Sequence, residues 1–126
     1  MTGDEIQRVA SAIATKLPKA ELSYPFGDGI PVFKVMDKMF MLSSEIHGKK
    51  FINLKCEPQH AEMLRDIYDS IHTGYHMDKR HWISIYDGDQ INQELLTDLV
   101  QSSYELVTQK LTKAQKNILK MHTALD

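Results

Sequence analysis

The sequence has a single cysteine, no long apolar segment and no excess of positive charge, and each shortage excludes a class of protein. One cysteine, Cys56, cannot form an internal disulfide or a zinc site built on several thiolates. No window approaches the ~18 uninterrupted apolar residues of a membrane span. The first residues lack the basic stretch and apolar run of a secretory signal. We therefore expect a soluble cytoplasmic protein with no membrane partner.

Positive charge is scarce across the whole chain. Lys and Arg number 15 against 17 Asp and Glu, which gives a formal charge of −2 and a pI near 6.3. Modules that coat nucleic acid usually have a pI above ~9. Any binding of a polyanion must therefore come from a local basic patch.

The apolar residues that are present recur at helical spacing in several segments. A first amphipathic helix is predicted from the Thr2/Glu5 capping-box pair to Pro18, and a second opens at Pro58. A long third helix is predicted to begin near Ile91, and a short last helix covers residues 112–119.

Other segments alternate with the period of two that is typical of strands. Two apolar runs joined by Asp37-Lys38 predict a hairpin, and residues 51–55 and 81–86 predict two more strands. At 126 residues the chain has the size of one domain, so residues 1–126 are interpreted as a single α+β domain. We predict an antiparallel sheet of about five strands, with the first, second and third helices on one face and the other face open.

The segment Thr73–Trp82 has the highest density of charged, titratable and aromatic side chains in the sequence. It combines two fixed cations, two histidines and two aromatic residues around Gly74, against the single acid Asp78. Each histidine adds positive charge as the pH falls toward ~6.5. One interpretation is that the aromatic residues close a core while Lys79 and Arg80 are solvated. The other is a loop that contacts an anion or nucleic acid.

The strand patterns suggest which strand residues would share a binding surface with this loop. If Ile83 and Ile85 face the helices, Trp82 stands on the open face, where Lys34 and Lys55 also project. The expected nucleic-acid or anion-binding residues are Lys34, Lys55, His76, Lys79, Arg80, His81 and Trp82.

The sequence contains no clear catalytic or metal-binding pattern. His72 and His76 are four residues apart, but Gly74 lies between them and no second ligand cluster follows. Cys56 lies beside an apolar strand, where a lone cysteine is typically a small core residue. No nucleophile and base pair is evident. We expect no catalytic residues, no bound metal and no cofactor.

Several runs together resemble the MmcQ/YjbR family of small bacterial proteins over about residues 15–112. They are Leu17-Pro18, Ser23-Tyr24-Pro25-Phe26-Gly27, Val32-Phe33-Lys34-Val35, Asn53-Leu54-Lys55-Cys56-Glu57-Pro58, Gly74-Tyr75-His76-Met77-Asp78-Lys79-Arg80-His81-Trp82 and Ser103-Tyr104-Glu105-Leu106-Val107. The resemblance implies a frataxin-like or double-wing α+β fold and the family's usual label of DNA-binding protein. The sequence departs from the family at Met36-Asp37-Lys38, where a Gly-Gly-Lys turn is usual.

Three functional hypotheses follow from different classes. The first is weak, salt-dependent DNA binding, in which cations neutralise phosphates and an exposed ring stacks or wedges against bases. The second is a module that binds a small anion or a protein partner through the same surface. The third is an enzyme, which the absence of a legible active site disfavours.

Overall fold

The computed structural model describes residues 1–125, which form four helices and six strands. The helices are α1 (Gly3–Thr15), α2 (Pro58–Ile67), α3 (Gln93–Gln109) and α4 (Lys113–Leu125). The strands are β1 (Ala20–Ser23), β2 (Val32–Val35), β3 (Lys38–Ile46), β4 (Lys49–Lys55), β5 (Ile71–Thr73) and β6 (Trp82–Ile85).

The strands form one antiparallel sheet in the order β1-β2-β3-β4-β6-β5. Four of its five pairings join strands that are neighbours in the chain, and only β4 and β6 pair across an intervening element. The predicted α+β class is confirmed. The sheet has six strands instead of about five, because the short β1 and β5 form its two edges.

Helices α1 and α3 pack on one face of the sheet and on each other. Ile6, Ala10 and Ala14 of α1 are fully buried there, as the amphipathic pattern predicts. The phenol of Tyr104 in α3 donates a hydrogen bond to the carbonyl of Pro18 at 2.7 Å, which ties α3 to the end of the first helical segment. Helix α2 packs at the sheet edge, against β5.

The helix boundaries follow the predicted capping chemistry. The hydroxyl of Thr2 accepts a hydrogen bond from the N–H of Glu5 at 3.2 Å, and the Glu5 carboxylate accepts one from the N–H of Thr2 at 3.1 Å. Pro58 occupies the first turn of α2, where its missing N–H is not needed. The last helix, α4, extends beyond the predicted residues 112–119.

The hairpin of β2 and β3 is confirmed, with its turn one residue earlier than predicted. Met36 (φ 49°) and Asp37 (φ 65°) both adopt the left-handed conformation, as the tight turn between two antiparallel strands requires. L-residues adopt this conformation at a cost that glycine avoids. This backbone explains why glycines suit this position in the family that the sequence resembles.

Candidate anion-binding site

The 74–81 loop, which joins β5 to β6, folds back onto the face of the sheet that the helices leave free. The N–H of Tyr75 donates to the hydroxyl of Ser84 at 2.9 Å, and the amide of Asn53 donates to the carbonyl of Tyr75 at 3.1 Å. The Ser84 hydroxyl donates in turn to the side-chain oxygen of Asn53. Both polar side chains are buried, so this closed network fixes the start of the loop to the centre of the sheet.

Trp82 does not stand exposed on the open face, and this part of the sequence prediction is wrong. Trp82 is only 8% exposed, and Gly74 at the start of the loop lies directly against its Cβ. A Cβ added at Gly74 would lie 2.6 Å from the Cβ of Trp82. Strand alternation identifies which residues share a face, but it does not reveal that a loop covers that face. Trp82 therefore supports the loop and is not available to stack on a base.

The rest of the loop presents its cations to solvent. His76, Lys79 and Arg80 are exposed, as predicted. The ammonium group of Lys79 donates to the carbonyl of Gly74 at 3.1 Å. In the part of the chain that the structure describes, the Arg80 guanidinium has no ion pair.

Asp78 organises the second half of the loop. Its carboxylate accepts a hydrogen bond from the backbone N–H of Arg80 at 2.9 Å and lies 3.1 Å from Nδ1 of His81. These contacts lower the pKa of Asp78, with the Arg80 N–H as the largest cause. The single acid of the loop is thus engaged within it, and His81 is directed toward Asp78.

Lys55 connects this loop to a second group of cations. It ends β4, and the next residue, Cys56, donates its N–H to the carbonyl of His81 at 2.8 Å. Lys55 is half-buried, and its pKa is lowered first by burial and then by the charges of Lys110 and Lys38, while Asp78 opposes the shift. Lys38 and Lys110 therefore each repel the Lys55 ammonium at this end of the sheet, and the three residues are called the lysine cluster below.

Sequence reasoning missed Lys38 and Lys110. Lys38 begins β3 and Lys110 directly follows α3, so the fold brings them to Lys55 from distant parts of the chain. No spacing pattern marks such a convergence. Lys34, which was predicted, is half-buried on β2 opposite Met39 and so lies at the same end of the sheet. This end of the sheet, where Lys34, Lys38 and Lys55 lie, is called its basic end below.

A cavity of about 300 Å³ opens beside Lys55, between the start of α2 and α3. The polar side chains of its wall belong to Lys55, Cys56, Glu57, His60, Ser102, Glu105 and Gln109, so the wall carries two carboxylates beside the Lys55 amine. Burial raises the pKa of the Cys56 thiol to about 11, with a further contribution from Glu57. A thiol with this pKa stays protonated near neutral pH and is a poor nucleophile.

Two further kinds of site, a metal site and a membrane-spanning helix, are not found in the described residues. Among residues 1–125, no three His, Cys, Asp or Glu side chains come together as a metal site. In the same range, no helix is both long and apolar enough to cross a bilayer.

The chain is similar to several known proteins. A family model described as YjbR matches residues 15–106. The chain belongs to the YjbR family. It is 47% identical over 113 residues to the protein YbdF of Escherichia coli O157:H7. The aligned residues make up 90% of this chain and 93% of that protein. It is 27% identical over 86 residues to YjbR of Escherichia coli K12, covering 68% and 73% of the two chains.

Solved structures show the same YjbR-family fold. A crystal structure of protein DR2400 from Deinococcus radiodurans, with a DUF419 domain, matches with a TM-score of 0.78 and 34% identity. The match covers 94% of this chain and 88% of the other. A structure from Pseudomonas syringae matches with a TM-score of 0.65 at 23% identity, covering 80% and 96%. These likenesses establish the fold.

Proposed function

We propose that this YjbR-family protein is a non-catalytic binding module that recognises the phosphates of DNA at the basic end of its sheet. The observation that carries the proposal is the lysine cluster, in which the pKa of half-buried Lys55 is lowered by burial and by two like charges. An anion bound beside Lys55 would offset the repulsion that Lys38 and Lys110 exert on it. Partial burial strengthens that attraction, because water screens it less.

The position of the lysine cluster favours an extended anion. The backbone hydrogen bond from Cys56 to His81 joins the cluster to the 74–81 loop. Lys79 and Arg80 are exposed in that loop. A ligand with several phosphates could contact both groups of cations at once. On a chain with a net charge of −2, only these local cations favour binding, so affinity should be modest and sequence preference weak.

Salt dependence tests this proposal in fluorescence anisotropy titrations with labelled DNA. A patch of about four to six cations should lose roughly two to three decades of affinity between 50 and 200 mM salt.

Exchanging Lys79 and Arg80 for Glu should abolish binding while the melting temperature changes little. The matched control is Arg8→Glu with Lys16→Glu, which reverses the same two charge types at exposed positions in α1 and at its C-cap. Salt-independent affinity, or equal loss in both double variants, contradicts the proposal.

A smaller anion is the second candidate, and the cavity beside Lys55 favours it. Its volume of about 300 Å³ lies at the lower end of the range for small-molecule sites. A thermal-shift series with inorganic phosphate and nucleotides separates the two candidates. A shift with these small anions that Lys55→Met removes, together with no DNA binding at 50 mM salt, would replace the DNA proposal with this one.

A further inference from the structure

Five aromatic rings form a continuous series across the free face of the sheet. The successive centroid distances are 5.4 Å for His72 to Tyr86, 5.1 Å for Tyr86 to Phe51, 5.8 Å for Phe51 to Tyr75 and 4.1 Å for Tyr75 to His76. These distances are within or just below the range of favourable ring contacts. The series, called the ring series below, runs from His72 on β5 to the 74–81 loop without involving Trp82.

The middle ring of the series is buried, and the rings at its two ends are exposed. Phe51 is 1% exposed, whereas His72 and His76 are exposed and Tyr75 and Tyr86 are half-buried. A hydrophobic core would enclose all five rings. Here Tyr75 and His76 belong to the same loop as Lys79 and Arg80. The Lys79 ammonium donates to the carbonyl of Gly74 at 3.1 Å, so the Tyr75 end of the series lies beside this cation.

The ring of His76 is held in place before any ligand arrives. His76 has φ 59°, in the left-handed region that few side-chain-bearing residues adopt, and its ring contacts Tyr75. The backbone of Tyr75 is bonded to both Ser84 and Asn53. Because the supporting network is buried, Tyr75 and His76 form a pre-organised pair that needs no ordering on binding.

We infer that the DNA bound by this protein is single-stranded, with an unpaired base stacking on Tyr75 and His76 while the neighbouring cations hold the phosphates. The inference rests on the proposed function. Aromatic rings add nothing to phosphate neutralisation, but they stack on any base whose face is free. Base faces in a duplex are already covered by their neighbours. Since Trp82 is buried, it provides no wedge that would open a duplex.

The test compares three oligonucleotides by fluorescence anisotropy at 50 mM salt. They are a single strand, a strand of equal length in which tetrahydrofuran units replace the bases, and the corresponding duplex. The first two carry the same phosphates, so their difference isolates stacking. One stacked base should make the base-bearing strand bind at least about fivefold tighter than the abasic strand. The duplex should bind more weakly than the single strand.

His76→Gly removes the ring while tolerating the left-handed backbone. This change should reduce the affinity for the base-bearing strand about fivefold and leave the affinity for the abasic strand unchanged. His47→Gly is the matched control, because His47 is also exposed with a φ of 50° and lies outside the ring series.

The outcomes separate the inference from the proposed function. Equal affinity for base-bearing and abasic strands, or tighter binding of the duplex, overturns the stacking inference and leaves phosphate recognition standing. If none of the three oligonucleotides binds at 50 mM salt, both are overturned. A loss of abasic-strand affinity in His76→Gly would show that His76 acts through charge or loop shape, which also overturns stacking.

Discussion

Ser84 and Asn53 face each other on neighbouring strands and together satisfy both backbone polar groups of Tyr75. Ser84 accepts from the Tyr75 N–H, and Asn53 donates to the Tyr75 carbonyl. Both side chains are buried beneath the loop. The position of the 74–81 loop therefore depends on two polar residues in the middle of the sheet.

Ser84→Ala should destabilise the fold and loosen the loop. The change leaves the Tyr75 N–H and the Asn53 side-chain oxygen without their partner, which costs about 1–3 kcal/mol in the free energy of unfolding. Urea denaturation measures this loss, and hydrogen exchange at the Tyr75 amide should accelerate. Ser44→Ala is the control, since the Ser44 hydroxyl has no hydrogen bond among the described residues. Equal effects of the two changes would show that the network does not hold the loop.

Gly74→Ala should also destabilise the protein, for a steric reason. The new Cβ would lie 2.6 Å from Trp82 Cβ and 3.1 Å from Met77 Cβ, so the loop would have to shift. Overpacking of this kind typically costs about 1–3 kcal/mol. Gly29→Ala is the control, because nothing lies within 4 Å of a Cβ at Gly29. Thermal melts that do not distinguish the two variants would contradict the close packing on Trp82.

The lowered pKa of Lys55 predicts a specific dependence of stability on pH. The folded protein releases this proton at a lower pH than the unfolded chain, whose lysine titrates near 10.5. The charged form is therefore disfavoured by folding, and stability rises as the pH passes through the lowered pKa toward 10.5. Lys55→Met should be at least as stable as the wild type at neutral pH and lack this rise.

Denaturation at a series of pH values up to 10.5 measures the Lys55 contribution. Lys16→Met, at the C-cap of α1, is the control for loss of an exposed lysine. Anion binding by the wild type should weaken over the same range, since the ligand needs the protonated amine. If Lys55→Met is less stable at neutral pH than Lys16→Met, the charge of Lys55 stabilises the fold and the proposed repulsion is wrong.

Cys56 should resist alkylation in the folded protein. With a pKa of about 11, about one thiol in a thousand is ionised at pH 8, and the side chain is only 5% exposed. Iodoacetamide labelling followed by mass spectrometry should be slow in buffer and fast in concentrated urea. Labelling in buffer at the rate of an unfolded peptide would mean that the cavity beside Lys55 opens readily.

The fold was largely predictable because its signals are local. Alternation in residues 51–55, the Thr2/Glu5 capping box and Pro58 each report a conformation set within a few residues. Edge strands β1 and β5 were harder to recognise, since four and three residues between turns are too short to show a period.

The candidate site was less predictable because it depends on tertiary contacts. The density of His76, Lys79 and Arg80 marks the loop in the sequence, and all three are exposed. The sequence does not show that the loop buries Trp82, nor that Lys110 approaches Lys55 from the far end of α3. Both facts arise from segments that meet only after folding.

The packing of α1 on α3 has a consequence for synthesis on the ribosome. Most strand pairs are hairpins that can form soon after they emerge, but α3 follows the last strand. Until residues 93–109 have been made, only α1 and, at the sheet edge, α2 can cover the apolar side of the sheet. A nascent chain that ends at β6 therefore exposes aliphatic surface, which makes it a ligand for chaperones until α3 docks.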